Sequence, residues 1–186
     1  MAGPVESLAR WHDFYALIGT ASATLVGLTF VTASIGAGFF SAGRKIGMQS
    51  FLSPTIVHFT AILIVCLIAI APSGPGNSTG FLLFCGGLAG LGYCGWIWLR
   101  MITHGLFAMI DMADRLWYTL LPTAGYLLVA VAAIGMLLRI KLGPEVLALG
   151  VTLLLLAGLR NAWDMTVFII QQRHTSNATA PDKPSS

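Results

Sequence analysis

Long apolar runs are the feature that most constrains the fold of this chain. Residues 14–40, for example, contain no Asp, Glu, Lys or Arg. About 20 apolar residues, each rising about 1.5 Å along a helix, are enough to cross the hydrocarbon core of a bilayer. Five runs are predicted on this basis to be membrane-spanning helices: residues 14–40, 54–71, 81–99, 116–138 and 145–170. The sequence therefore predicts an all-α fold, a polytopic transmembrane helix bundle with five spans.

The composition points to the same class of protein. Of the 186 residues, 56% are hydrophobic and 9% are charged. About 25% of the residues of a soluble domain are charged, so these few charges cannot cover a water-exposed surface. The basic residues are dispersed and the net charge is only +3, which predicts no nucleic-acid partner. Cys66, Cys85 and Cys94 lie inside the apolar runs without a CxxC pair, and the sequence predicts no metal site and no cofactor.

Turn signals separate the apolar runs. The stretch "PSGPGNSTG" at residues 72–80 is typical of a loop between two helices. Gly143-Pro144 ends one helix and starts the next, which predicts a tight antiparallel hairpin of the fourth and fifth spans. Residues 1–174 are therefore predicted to form one transmembrane domain, and the polar residues 175–186 a disordered tail.

The distribution of Lys and Arg predicts how the spans are oriented. With Arg160 set aside because it lies inside a span, one side of the membrane holds six basic residues: Arg44, Lys45, Arg100, Arg115, Arg173 and Lys183. The other side holds three: Arg10, Arg139 and Lys141. Cytoplasmic loops carry the excess of Lys and Arg, so the N-terminus is predicted outside and the C-terminus in the cytoplasm of a multi-pass cell-membrane protein.

Residues near the ends of the runs are predicted to be interfacial anchors. Trp side chains favour the boundary between lipid and water. Trp96, Trp98 and Trp117 are expected at the inner interface and Trp11 at the outer one. Asp13, at the start of the first helix, is interpreted as a capping residue beside that outer anchor.

The fifth run carries polar residues in its interior: Arg160, Asn161 and Asp164. A charged side chain at the centre of a spanning helix costs about 2.5–3.5 kcal/mol on insertion scales, so an interaction must offset this cost. Arg160 and Asp164 are four residues apart and share one helix face, which allows them to pair. His58 of the second span lies at a similar depth, and an Asp164–His58 contact is the alternative.

Three interpretations of this intramembrane polar cluster remain open. It can be a structural clamp that fixes the register of the helices. It can be a proton or ion pathway in which His58 and Asp164 titrate and Arg160 tunes them. It can also be a snorkelling arginine that reaches the inner headgroups, without any buried site.

Small residues recur at helical spacing in the first and third runs: Ala16, Gly19, Ala23, Gly27, Ser34, Gly38, Gly86 and Gly90. Small side chains let helix backbones approach closely, which drives association in lipid where the hydrophobic effect cannot. They are predicted to form a helix-packing strip. The strip can serve contacts within one chain or contacts between chains.

The sequence contains no motif of a known catalytic site: G-x-S-x-G, a P-loop and H-E-x-x-H are all missing. The predicted function is therefore not enzymatic. An integral membrane protein that assembles in the lipid bilayer with itself or with another membrane protein is the favoured prediction. The alternative is a small channel or proton-coupled transporter that uses Arg160, Asp164 and His58, and an intramembrane enzyme is the third hypothesis.

Two segments resemble an uncharacterised family of small bacterial multi-pass membrane proteins: "WHDFYALIGTASATLVGLTFV" at residues 11–31 and "GLRNAWDMTV" at residues 158–167. Members share a W-x-D-F-[FY] entry, a first helix of small residues and an R-N-A-W-D-like element, and some carry the label modulator of FtsH protease. The resemblance implies a bacterial inner-membrane protein and carries no catalytic role. It marks six positions of this chain: Trp11, Asp13, Arg160, Asn161, Trp163 and Asp164.

Overall fold

A computed structural model describes residues 11–37, 45–71, 78–103 and 116–178 of the chain, and these residues are helical apart from short turns. Five α-helices follow one another in this part of the chain: α1 (His12–Ala37), α2 (Lys45–Ile70), α3 (Ser78–Thr103), α4 (Leu121–Leu137) and α5 (Gly143–Ala178). A π-helical turn, Leu116–Leu120, leads directly into α4. The prediction of an all-α helix bundle is confirmed.

Among the described residues, four helical segments are long and apolar enough to cross a membrane: His12–Ser34, Ser78–Thr103, Trp117–Leu137 and Gly143–Asp164. The second predicted span corresponds to Pro54–Ile70, a shorter apolar segment within α2. The structure is thus consistent with an integral membrane protein, and the fifth span stays a prediction. The orientation of the spans also stays a prediction. Four of the basic residues on which it depends, Arg10, Arg44, Arg115 and Lys183, lie outside the described residues.

Several helix ends differ from the predicted span ends. α2 already begins at Lys45, so that Pro54 lies inside the helix. α3 begins at Ser78, within the loop predicted at residues 72–80. α5 continues to Ala178 and so includes the first residues of the segment predicted to be a disordered tail. The rest of that segment lies outside the described residues. Span ends and helix ends differ because hydropathy reports the apolar stretch only, whereas a helix can continue into polar sequence.

The hairpin between α4 and α5 is closed by backbone hydrogen bonds at the end of α4. The amide of Ile140 donates to the carbonyl oxygen of Gly135 at 2.7 Å, and the amide of Arg139 donates to that of Met136 at 3.1 Å. This pair of bonds is a Schellman motif, whose central residue adopts the left-handed conformation. Arg139 occupies this position with φ of 59°, where glycine is the usual residue. The predicted hairpin is present, but its helix stop lies at Arg139, and Gly143 is the first residue of α5.

The helices pack as a bundle in which α4 lies between α3 and α5, and α2 lies between α1 and α5. A narrower contact joins α2 to α3. Close approach depends on glycine where α4 crosses α5, because a Cβ added at Gly150 would lie 3.0 Å from the carbonyl oxygen of Gly125. α1 is at the edge of the bundle, with α2 as its main neighbour.

The interior of the bundle and its outer surface are both apolar. Large side chains fill the interior, among them Tyr15, Phe59, Leu83, Tyr126, Leu147 and Leu154. Large apolar side chains are also exposed on the outside, among them Leu17, Phe30, Leu67, Phe81, Leu127 and Leu156. An outer surface of this kind suits contact with lipid chains rather than with water.

Candidate functional site

Arg160 and Asp164 pair with each other on α5. The Nε of Arg160 forms an ion pair with Oδ2 of Asp164, 3.1 Å away and one helical turn further along. The hydroxyl of Tyr118 in the π-helical turn donates to the same oxygen at 2.9 Å. An arginine placed before an aspartate is the weaker order for a pair within one helix, and the bond from Tyr118 adds to it. The three side chains therefore connect α5 to the start of the α4 segment.

His58 lies in a different part of the bundle. It is 1% exposed, and its Nδ1 lies 3.0 Å from the hydroxyl oxygen of Tyr126. The rings of Tyr93 and Tyr126 pack against the imidazole, with centroids 6.2 and 5.7 Å away. The hydrogen bond joins α2 to α4 across the interior. The alternative Asp164–His58 contact is not formed, because His58 faces tyrosines of α3 and α4 whereas Asp164 faces the π-helical turn.

Asn161 is the third polar residue predicted in the fifth run. It is 3% exposed, and its Oδ1 has no hydrogen-bond partner among the described residues. It follows Ala157 by one helical turn on the buried face of α5. Ser22 of α1 is equally buried, and its hydroxyl also has no partner in the described part of the chain. Asn161 is thus buried in the bundle but does not join the Arg160–Asp164 pair.

A groove with a volume of about 550 Å³ lies beside this pair, between α1, α2, α5 and Trp117. We call it the α1–α2–α5 groove. Its lining is mainly apolar, with these residues: Leu25, Leu28, Thr29, Thr32, Thr55, Phe59, Trp117, Leu156, Leu159, Arg160, Ala162, Trp163 and Thr166. The groove brings together the second half of α1, the middle of α2 and the last turns of the predicted fifth span. Arg160 is its charged lining residue.

The predicted helix-packing strip is divided between two environments. Gly19 is buried, where an added Cβ would lie 3.1 Å from Cβ of Cys66, and at Gly90 an added Cβ would overlap the ring of Tyr126. At Gly27 and Gly86, by contrast, an added Cβ would meet nothing within 4 Å. Of the remaining positions, Ala16 is half-buried and Ala23 and Ser34 are exposed, while Gly38 lies outside the described residues. The strip thus contains contacts within the chain and positions that face outward.

The aromatic residues at the start of α1 fix its position against α5. The ring of Trp11 packs on Phe14 at 5.4 Å, and Phe14 packs on Tyr15 at the same distance. The buried hydroxyl of Tyr15 donates to the carbonyl oxygen of Pro144 at 2.6 Å. Asp13 is exposed and its carboxylate lies 3.2 Å from a ring nitrogen of the neighbouring histidine. The contact of Tyr15 with α5 could not be read from the sequence.

Two of the predicted anchors at the other end contact specific side chains. The guanidinium of Arg100 lies over the ring of Trp96, 4.9 Å from its centroid. The indole of Trp98 donates to the hydroxyl of Thr123 on α4 at 3.4 Å. Trp117 lines the α1–α2–α5 groove, as described above. Trp98 therefore adds a polar contact between α3 and α4.

Sequence reasoning missed the partners of the polar residues, above all Tyr118 and Tyr126. A buried tyrosine hydroxyl usually finds a hydrogen-bond partner, so each of these residues carried a signal that it belongs to a polar contact. The signal does not name the partner, which comes from another helix. Among the described residues, no group of three or more His, Cys, Asp and Glu side chains is arranged to hold a metal ion.

Comparisons with known proteins return no match for this chain among protein-family models, curated proteins or solved structures.

Proposed function

We propose that the protein is not an enzyme and acts by helix–helix assembly in the membrane, with itself or with another membrane protein. The outward face of α1 is the assembling surface. The observation that carries the proposal is the open space at Gly27, where an added Cβ would meet no atom of the chain within 4 Å. Gly19, two helical turns earlier and about 80° away around the helix, packs closely against Cys66 instead.

The outward face of α1 exposes five small residues, Thr20, Ala23, Thr24, Gly27 and Ser34, next to larger apolar side chains such as Phe30 and Val31. The hydroxyls of Thr20 and Thr24 donate to carbonyl oxygens of their own helix, at 2.8 and 3.0 Å. Their donors are thereby satisfied, and a second helix can approach without leaving them unpaired. Small side chains with satisfied polar groups are the surface that membrane helices use to pack closely.

The edge position of α1 supports the proposal. Within the candidate spans, 22% of the residues of α1 and α3 are buried, compared with 44% for α4 and α5. α3 also exposes small residues, at Cys85, Gly86, Ala89, Gly92 and Gly95. The exposed face of α4 differs in its small residues, because Ala124 is the single small residue exposed beside Leu127, Val131 and Ile134. The two spans with the smaller buried share thus both expose several small residues, and α3 provides a second surface for the same assembly.

The polar contacts fit the role of a scaffold for this surface. Tyr118 and Asp164 join the π-helical turn to α5, and His58 and Tyr126 join α2 to α4. The described contacts keep these two pairs separate, with no hydrogen bond from one to the other. A channel or proton-coupled transporter would need a connected path between them, and we therefore favour assembly.

Photo-crosslinking in native membranes tests the proposal. A photoreactive amino acid at position 24, on the outward face of α1, should form a protein adduct with a second copy or with another membrane protein. The same amino acid at position 127 of α4 is the matched control and should react mainly with lipid. Gly27→Leu should remove the adduct at position 24, because added bulk blocks close approach. Equal lipid labelling at positions 24 and 127, without protein adducts, would refute the proposal.

A further inference from the structure

We propose that the α1–α2–α5 groove binds one phospholipid with a zwitterionic headgroup that ends in a primary ammonium group. The guanidinium of Arg160 holds the phosphate, and the carboxylate of Asp164 holds the ammonium group. One acyl chain lies along the apolar lining of the groove. This inference does not depend on the proposed assembly.

The size and lining of the groove suit an acyl chain. Its volume of about 550 Å³ lies within the range of about 300–1,000 Å³ that is typical of small-molecule sites. Apolar side chains from three helices line it, including Leu25, Phe59 and Leu156. On α5 the lining runs from Leu156 to Thr166, which at about 1.5 Å per residue is roughly 15 Å of helix. The part of this lining before Arg160 leads into the membrane and suits the acyl chain, whereas the part from Arg160 onward suits the headgroup.

Arg160 supplies the charged hydrogen-bond donors of the groove. The hydroxyls of Thr29, Thr32 and Thr166 donate to carbonyl oxygens of their own helices, so their protons are already used. The guanidinium of Arg160 carries five N–H donors, of which the one on Nε points to Asp164. Its terminal amino groups have no partner among the described residues. A planar pair of free donors matches two oxygens of a phosphate group.

Asp164 does not line the groove but adjoins it through its ion pair with Arg160, and it decides which type of headgroup fits. Its Oδ2 accepts a hydrogen bond from Tyr118 and lies in ion-pair contact with Arg160, whereas its Oδ1 has no hydrogen-bond partner in the described part of the chain. The side chains of Arg160 and Asp164 are 44% and 23% exposed, so both remain accessible. Because the two charges are adjacent and opposite, the site has no net charge to attract an anionic lipid. A headgroup with a phosphate and an ammonium group complements both charges at once.

The position of the pair along the helix is suitable for a headgroup. Arg160 lies four residues before the end of the span Gly143–Asp164, about 6 Å along the helix axis. Trp117 and Trp163 line the same groove, and indole rings favour the boundary between lipid and water. The headgroup would therefore sit at the interface, with its chain directed into the membrane.

Native mass spectrometry of the full chain, released from detergent micelles, tests the assignment. The probes are phosphatidylethanolamine, phosphatidylcholine and phosphatidylglycerol with identical acyl chains. The wild type should bind one phosphatidylethanolamine about tenfold more tightly than either other lipid, since the choline group has no N–H donor and the glycerol headgroup is anionic. Equal binding of the three lipids, or a preference for phosphatidylglycerol, would overturn the proposal.

Substitutions at Arg160 and Asp164 test the contribution of each charge to lipid binding separately. Arg160→Gln should lose binding of phosphatidylethanolamine by about tenfold or more, because the phosphate loses its donors. Asp164→Asn should shift the preference toward phosphatidylglycerol, because Arg160 then carries an unpaired positive charge. Arg100→Gln is the matched control, an arginine on α3 outside the groove lining, and should bind like the wild type. Unchanged lipid preference in both site variants contradicts the assignment.

A substitution in the groove lining tests the proposal even if the charge variants do not fold. Thr32→Phe adds bulk to the lining while leaving Arg160 and Asp164 in place. It should reduce retention of phosphatidylethanolamine about tenfold while the protein stays helical by circular dichroism. Wild-type retention in a folded Thr32→Phe variant would show that the lipid does not occupy this groove.

Discussion

Gly90→Ala on α3 is expected to destabilise the bundle, whereas the same change at Gly86 is not. A Cβ at Gly90 would overlap the ring of Tyr126, and a Cβ at Gly86 would meet nothing within 4 Å. The ring of Tyr126 cannot easily move aside, because its hydroxyl is bonded to His58 at 3.0 Å and both side chains are buried. The substitution therefore disturbs the packing of α3 against α4.

The comparison of the two glycines isolates the packing contribution. Replacing Gly by Ala favours a helix by about 1 kcal/mol, and this gain is common to both positions. Overpacking of a filled interior costs about 1–3 kcal/mol, and it applies only at Gly90. The free energy of unfolding in mixed detergent–SDS micelles should therefore be about 1–3 kcal/mol lower for Gly90→Ala than for Gly86→Ala. Equal stability of the two variants would show that α3 does not pack on Tyr126 as described.

Three further predictions concern single contacts, all measured as unfolding free energies in the same micelles. In a double-mutant cycle, Arg160→Leu and Asp164→Leu should each destabilise the protein. The loss in the double variant should be smaller than the sum of the two single losses by about 0.3–1 kcal/mol, as for a partly exposed pair. Strictly additive losses would contradict pairing. Tyr126→Phe should lose about 1–3 kcal/mol because it leaves a buried nitrogen of His58 unpaired, and an unchanged stability would argue against that bond. Arg139→Gly should stabilise by about 1 kcal/mol by relieving a left-handed conformation, and a loss of stability would contradict the Schellman motif.

Local spacing in the sequence predicted those contacts that lie within one helix. Arg160 and Asp164 are four residues apart, and the helical repeat alone places them side by side. The length of the apolar runs likewise predicted the helices and their class. These features depend only on neighbours along the chain, so they can be predicted directly from the sequence.

Contacts between helices could not be predicted in the same way. Helical periodicity shows that Gly19 and Gly27 differ in direction, but it does not show that α2 covers the first and leaves the second open. His58 and Asp164 have similar depths, yet His58 pairs with Tyr126 because the rotation of α2 in the bundle turns the imidazole toward α3 and α4. Hydropathy fixes depth in the membrane, whereas rotation and neighbour depend on packing across the whole bundle.

The number of copies per assembly in lipid tests the central claim most directly. Fluorescently labelled wild type, Gly27→Leu and Ala124→Leu would be counted by single-molecule photobleaching in liposomes at equal protein-to-lipid ratio. Ala124 is an exposed small residue on α4, so Ala124→Leu adds the same bulk outside the proposed surface. Assembly through the outward face of α1 predicts more than one copy for the wild type and Ala124→Leu, and single copies for Gly27→Leu. Oligomers of unchanged size in Gly27→Leu would contradict assembly through this face. The claim would also be contradicted if all three proteins were single copies and position 24 formed no protein adduct.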